Sequence, residues 1–254
     1  MNNNLSVIIP TYSNVSGLKY LLEYFKKKPY KVVIIDNCLD SRLRGNDTKQ
    51  VIYLSQKRNL GFAGGVNKGA KNVETKWMLI LNDDIIFQDQ ISNNTIESLI
   101  KFAEENRLNA VSPILRNPSG SIENLGYKVL PYGKIKLIKG RDDNDIDGIT
   151  AACLLIKTAV FKKLGGFDES FFAYLEDVDL FLRMKNNKFG IAYDIEVLHN
   201  HMATTKTMGN FKARQDMINW WRLFLKHPKK FKFNLDFIVE RMRNVSGYIK
   251  ASFK

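Results

Sequence analysis

Cysteine, histidine and long apolar runs are all scarce in this chain. Two of its 254 residues are cysteine, Cys38 and Cys153, which excludes a disulfide scaffold; two reduced thiols in apolar, strand-like settings are the expectation. No apolar run approaches the roughly 18 residues that a membrane-spanning helix needs. The longest candidate, 149–161, is broken by Lys157. The N-terminus passes from Met1-Asn2-Asn3-Asn4 straight into an apolar stretch, without a basic start or a long apolar core, so no signal peptide is predicted. Acidic residues are also the minority, 26 against 39 Lys and Arg, for a net charge of +13. That excess favours polyanions: nucleic acid, an anionic membrane surface or nucleotide phosphates.

What is present reads as alternating strands and helices. Apolar runs at Leu5–Ile9, Val32–Ile35, Val51–Leu54, Trp77–Leu81, Ala110-Val111 and Ile149–Ile156 predict strands. Helices are predicted after Asn14 or Ser16 as N-cap, from about Ser92 to Asn106, over Thr158–Leu164, over Glu176–Asn187 and throughout the basic C-terminal stretch. The pattern predicts an α/β fold with a mostly parallel central sheet covered on both faces. Residues 114–148 show weak periodicity and read as loops and short strands.

Asn82-Asp83-Asp84 follows the Trp77–Leu81 run without a gap, which places two carboxylates at the C-terminal end of a strand, where open α/β sheets bind ligands. A divalent cation would relieve the repulsion between them, and oxygen ligands suit Mg²⁺ or Mn²⁺; a polar strand end is the plainer reading. Asp36 closes the second strand and could bond a base or ribose, or simply cap a turn. The Gly61–Gly69 stretch reads as a tight turn into a helix, or as a backbone nest for phosphate. Glu176-Asp177-Val178-Asp179 sets three carboxylates at a helix start: favourable pairing with the helix dipole, or a general base beside Phe171, Phe172 and Tyr174. His199 and His201 share one face of a strand and could complete a metal shell.

From Phe211 onward eleven Lys or Arg stand against three Asp or Glu. Trp220, Trp221, Leu223, Phe224 and Leu225 interleave with Arg222, Lys226, Lys229, Lys230 and Lys232. A helix packed on the domain with a solvated basic face is the plainest reading. Peripheral contact with anionic lipid comes next, and single-stranded nucleic acid last.

In order along the chain stand Val7-Ile8-Ile9-Pro10-Thr11-Tyr12, Val33-Ile34-Ile35-Asp36-Asn37, Asn59-Leu60-Gly61-Phe62-Ala63-Gly64-Gly65-Val66-Asn67, Leu81-Asn82-Asp83-Asp84, Gly165-Gly166-Phe167-Asp168-Glu169, Glu176-Asp177-Val178-Asp179-Leu180 and Val197-Leu198-His199. This series resembles glycosyltransferase family 2, most of all its bacterial rhamnosyltransferase-like members, over residues 5 to about 205.

The resemblance implies a GT-A-type nucleotide-sugar-binding domain over residues 1–209, followed by a basic helical extension over 210–254. It implies inverting, metal-dependent transfer from a dTDP- or UDP-sugar to a hydroxyl of a glycan or lipid-linked glycan in cell-surface polysaccharide synthesis. The expected location is the cytoplasm, at the inner face of the plasma membrane if the tail docks there. Asp177 matches the catalytic base. Thr11, Tyr12, Asp36, Asn59, Gly61, Ala63 and Asp83 fall on the donor-nucleotide side. Asp84, Asn82 and His199 fall at the Mg²⁺ or Mn²⁺, and Gly148, Tyr174 and Glu176 at the acceptor or active-site lining. Asn82 stands where relatives often carry Asp; it keeps a carbonyl ligand and loses a charge, which leaves Asp84 as the stronger metal ligand. Two rivals remain at this point, a sugar nucleotidyltransferase and a non-catalytic basic protein. The first suits a Gly-rich basic loop after the first strand, where this chain has Pro10-Thr11-Tyr12-Ser13. The second needs neither the metal cluster nor Glu176-Asp177.

Overall fold

The first apolar run forms β1 (Leu5–Thr11), buried along its whole length. In the computed structural model, which describes residues 4–38, 50–88, 94–140, 146–184, 188–200 and 210–253, β1 lies between β2 (Lys31–Asp36) and β4 (Trp77–Leu81), parallel to both. β3 (Val51–Ser55) extends this parallel group beyond β2. Beyond β4 the direction changes. β10 (Cys153–Lys157) is antiparallel to β4 and to β6 (Ala110–Arg116), and β11 (Phe189–His199) then runs parallel to β6. The two-residue β5 (Ile85–Ile86) and the short β7 (Ile122–Asn124) pair at the far end, and β8 (Tyr127–Leu130) with β9 (Lys134–Leu137) makes a separate hairpin.

The period-two pattern of the strands sends alternate residues to two cores. Val7, Ile9, Val32, Ile34, Leu79 and Leu81 pack under α1 (Val15–Lys26) and α3 (Thr95–Glu105). Ile8, Val33, Ile35, Met78 and Ile80 pack under α2 (Gly61–Ala70), α4 (Thr158–Lys163) and α5 (Glu176–Arg183). Strands buried on both faces are why these runs are apolar throughout rather than alternating.

Several expectations shift in detail. The Gly61–Gly69 stretch is helical from Gly61, so its glycines serve packing: a Cβ on Gly69 would meet Ile8 and Ile35 at 2.7 Å. β6 runs through Pro113 to Arg116; between Val111 and Leu115 it has β11 on one side only, where a proline is tolerated. Cys153 is buried in β10, and Cys38 lies just past the end of β2, half-buried. Ser92, 185–187 and His201 fall outside the described residues.

The C-terminal stretch folds as α6 (Phe211–Lys226) and α7 (Leu235–Ser252). Trp220, Leu223 and Phe231 enter a third core with Tyr127, Val129, Phe171, Leu175 and Val178. Charge ties the same seam. Asp179, fully buried on α5, meets Arg183 at 2.8 Å, Lys226 at 2.9 Å and His227 at 2.8 Å. Among the described residues no helix is long and apolar enough to cross a membrane.

Candidate active site

Parallel β1, β2 and β4 end at one edge of the sheet, and their C-terminal residues open into a cleft of about 690 Å³. Asp83 is anchored there. Its Oδ2 accepts a 2.6 Å hydrogen bond from the Thr11 hydroxyl, and its Oδ1 accepts one of 3.2 Å from Asn14 Nδ2. The same Asn14 caps α1, accepting from the Gly17 N–H at 3.1 Å, so one side chain fixes both the helix start and the acidic strand end. Burial raises the Asp83 pKa, the Thr11 and Asn14 hydrogen bonds oppose the rise, and the neighbouring Asp84 charge adds to it, giving about 6.

Asp84 faces the other way. Its buried Oδ1 accepts no hydrogen bond among the described residues and lies 3.1 Å from His199 Nε2. The backbone holds this pairing: His199 is opposite Ile85 in the β11–β5 ladder, and the Asn200 N–H donates to the Asp84 carbonyl at 2.9 Å. Behind the imidazole, Glu123 meets Nδ1 at 3.1 Å. Burial lowers the His199 pKa, but the facing carboxylates of Asp84 and Glu123 outweigh it and raise it to about 9, so a cation at Nε2 would take the place of a proton. Asn82 lines the cleft beside them, its N–H bound to the Ala152 carbonyl at 2.9 Å.

On another wall stand Glu176 and Asp177, the first residues of α5. Asp177 Oδ1 accepts from the Val178 N–H at 2.8 Å, and Oδ2 from the Ala151 N–H at 3.4 Å. Burial raises the pKa of Asp177; burial and the Asp177 charge together raise that of Glu176. The chain arrives at this helix through Phe172, Tyr174 and Leu175, all at positive φ between 50° and 68°, a conformation that costs non-glycine residues energy. Asn219 of α6, fully buried, holds that approach. Its Nδ2 faces the carbonyls of Phe171, Ala173 and Tyr174 at 3.2, 2.9 and 2.7 Å.

The donor-side candidates divide. Thr11, Tyr12, Asn59, Gly61 and Asp83 line the cleft, as do Tyr174 and Glu176. Asn59 Oδ1 accepts from the Gly61 N–H at 2.8 Å and sets the start of α2. Gly61 is at φ +71°, and a Cβ there would lie 2.3 Å from the Phe172 carbonyl. Three candidates stand back from the cleft surface. Asp36 accepts from the Cys38 N–H at 2.9 Å, Ala63 is buried with its N–H on the Phe172 carbonyl, and Gly148 is covered by Tyr127, whose hydroxyl a Cβ would meet at 2.4 Å. Asn37, next to Asp36, lines the cleft instead and clasps the α2 start through the Leu60 N–H and the Gly61 carbonyl.

Sequence reasoning did not single out Glu123, Asn14 as the partner of Asp83, or Asn219. Each acts through a contact far away in sequence, and nothing local marks it. The far end of the cleft is walled by the β8–β9 hairpin and by Asp216, Glu240, Arg241 and Asn244 of the two C-terminal helices.

Comparison with known proteins agrees with this architecture. The sequence model of glycosyl transferase family 2 matches residues 6–165. The chain is 26% identical over 214 residues to the low-salt glycan biosynthesis hexosyltransferase Agl10 of Haloferax volcanii, covering 79% of this chain and 68% of that one. It is 24% identical over 245 residues to N-acetylglucosaminyl-diphospho-decaprenol L-rhamnosyltransferase of Mycobacterium tuberculosis, covering 81% and 78%. The structure of GalNAc-T7 with UDP, GalNAc and Mn²⁺ superposes with a TM-score of 0.63 at 13% identity, over 96% of this chain and 55% of that one. With its strand-end acidic cluster, curled sheet and helix-borne carboxylates, the chain belongs to glycosyltransferase family 2 and has the GT-A fold.

Proposed function

We propose that this glycosyltransferase moves a sugar from a nucleotide-sugar donor to a hydroxyl of a glycan or lipid-linked glycan, with inversion at the anomeric carbon and with help from Mg²⁺ or Mn²⁺. The observation that carries the reading is the pairing of Asp84 Oδ1 with His199 Nε2 in the cleft that Asp177 also lines. The Asp84 oxygen and the His199 nitrogen, 3.1 Å apart, are the two atoms that would hold the cation. An oxygen buried without a hydrogen bond is also what a cation would satisfy. Glu123 on Nδ1 would hold the imidazole with Nε2 turned toward the cation. Among the described residues no group of three or more His, Cys, Asp or Glu makes a ready-made metal site, so diphosphate oxygens and water would fill the remaining positions. When bound, the cation supplies charge stabilisation to the departing diphosphate.

In this reading Thr11, Tyr12, Asn37, Asn59 and Gly61 border the nucleotide. Asp177 accepts the proton of the acceptor hydroxyl as its oxygen forms the new bond to the anomeric carbon. The bond from that carbon to the diphosphate oxygen breaks on the opposite side, and the nucleoside diphosphate leaves with the electron pair. Glu176, its pKa raised by burial and by the Asp177 charge, lines the acceptor side with Tyr174. Residues 1–209 form the catalytic domain and residues 210–254 an extension that walls the acceptor end. Family membership sets aside the nucleotidyltransferase and the non-catalytic readings. Similarity to the mycobacterial diphospho-decaprenol rhamnosyltransferase favours a lipid-diphosphate-linked acceptor, and rhamnosyltransferase relatives favour dTDP-rhamnose among donors.

The test is a thermal-shift panel of dTDP-, UDP- and GDP-sugars with Mn²⁺, with Mg²⁺ and with EDTA. One donor should raise the melting temperature with its concentration, and only with a metal present. A panel in which no sugar nucleotide shifts the protein under any of the three conditions would overturn the reading.

A further inference from the structure

Of the thirteen large apolar side chains left exposed among the described residues, ten lie between Trp221 and Phe253. Seven of them belong to α7 and its end: Leu235, Ile238, Val239, Met242, Val245, Ile249 and Phe253. At about 100° per residue they fall within roughly 120° of arc, one continuous stripe down the helix. The buried face of α7 is a different one. Phe237 and Arg241 point inward, with the Arg241 guanidinium 4.8 Å from the centroids of both the Trp220 and Phe237 rings. The helix is thus amphipathic twice over: one face docks on the protein and a second apolar face meets solvent, with Leu235 74%, Met242 65% and Phe253 88% exposed. Phe233, 63% exposed, is in ring contact with Phe237 at 5.8 Å, and Trp221 with Phe237 at 5.5 Å, so the apolar surface continues off the helix. A continuous exposed apolar stripe of this length marks a contact surface.

Charge identifies what covers it. Lys229, Lys232 and Lys250 are exposed and form no ion pair among the described residues, and Arg243 is exposed at the border of the stripe. The sequence from Phe211 onward carries eleven basic and three acidic residues. A second copy of the chain would bring the same positive charge against itself. An anionic lipid surface offers both an apolar interior for the stripe and phosphates for the lysines.

We propose that α7 lies in the interface of an anionic bilayer, with the stripe from Leu235 to Phe253 in the acyl boundary and Lys229, Lys232 and Lys250 at the headgroups. The same helix lends Glu240, Arg241 and Asn244 to the wall of the cleft. Docking there therefore sets the acceptor end of the cleft against the membrane, a consequence that rests on the proposed function; the docking itself does not.

The experiment is sedimentation of the full chain with vesicles of phosphatidylcholine alone and with about a third phosphatidylglycerol, alongside the double variant Ile238→Glu/Met242→Glu. Both side chains are exposed, so the variant should keep the parent melting temperature and its donor-dependent shift. The parent should partition onto the anionic vesicles, and the variant roughly tenfold less. Lys229→Glu/Lys232→Glu/Lys250→Glu should lose the preference for anionic over neutral vesicles. Equal partitioning of parent and double variant would overturn the proposal, as would a parent that stays in solution with both vesicle types. Light scattering that reports a dimer, converted to monomer by Met242→Glu without any vesicle binding, would give the stripe to a second copy instead. Donor binding is read separately, so a failed catalytic reading and a failed docking surface are distinguishable.

Discussion

Asp177 accepts hydrogen bonds from two backbone N–H groups, and burial outweighs them to raise its pKa above the ordinary carboxylate range. A base held nearer to neutrality is better matched to a hydroxyl proton. Asp177→Asn should lower sugar transfer by about 10²–10⁴-fold while the donor-dependent thermal shift stays as in the parent. Transfer at the parent rate would remove Asp177 from the reaction. Asp84 has a separate signature. Asp84→Ala should abolish the difference in donor-induced melting temperature between Mn²⁺ and EDTA, because the oxygen facing His199 is gone. A metal-dependent shift that survives the substitution would move the cation elsewhere. These two carboxylates were legible in the sequence because each follows a local signal, an apolar strand or a helix start. Glu123 was not. It sits on the three-residue β7, inside a segment whose periodicity is weak, and its role comes from meeting a histidine 76 positions away.

At the scale of elements, the unusual part is the join between α5 and α6. Three residues before α5 hold positive φ, and one amide side chain on α6 faces three of the carbonyls exposed by that path. Asn219→Ala leaves those carbonyls without this donor in a buried place, which costs about 1–3 kcal/mol. The loop should relax and shift the start of α5. Turnover should then fall roughly ten- to a hundredfold, with donor binding retained, since the residues proposed to border the nucleotide stand at β1, β2 and α2. Steady-state kinetics alongside a donor titration would check it; parent turnover in a variant that has lost stability would confine Asn219 to a structural role. The helices themselves were readable from apolar spacing, and the N-cap was narrowed to Asn14 or Ser16, of which Asn14 caps α1. The α5–α6 join was not, because a polar residue in a basic helix looks the same whether it faces water or a strained loop.

For the molecule as a whole, burial of Asp177 sets activity and stability in opposition. A carboxyl whose folded pKa is raised favours the fold while protonated, and it withdraws that support as pH climbs from the ordinary carboxylate range through the raised value. In the proposed role of Asp177 as base, transfer needs the ionised form and so should rise over the same window. Other carboxylates titrate there as well, Glu176 and Asp83, both with raised pKa values, so the clean readout is a difference. The melting temperature of Asp177→Asn minus that of the parent should be near zero around pH 4 and positive at pH 8. Each kcal/mol of relief should contribute about 2–4 °C. A difference that does not change with pH would place the titrating group elsewhere. The mostly parallel sheet, covered on both faces, followed from alternation of apolar runs. The curl of the far half did not, because it depends on β10 reversing direction and on short ladders that leave little trace in composition.

Asp179 carries a consequence for how such enzymes diversify. Its carboxylate, with no exposed surface, sits among Arg183 of its own helix and Lys226 and His227 from the following segment. A charge sealed in this way depends on partners from both sides of the junction. Grafting the C-terminal helices of a relative onto this chain would strand it unless the donor segment brought matching cations. Recombination is therefore expected to travel with α5 through α6 as one cassette, together with the β8–β9 hairpin, whose Tyr127 and Val129 pack on Trp220 and Leu223.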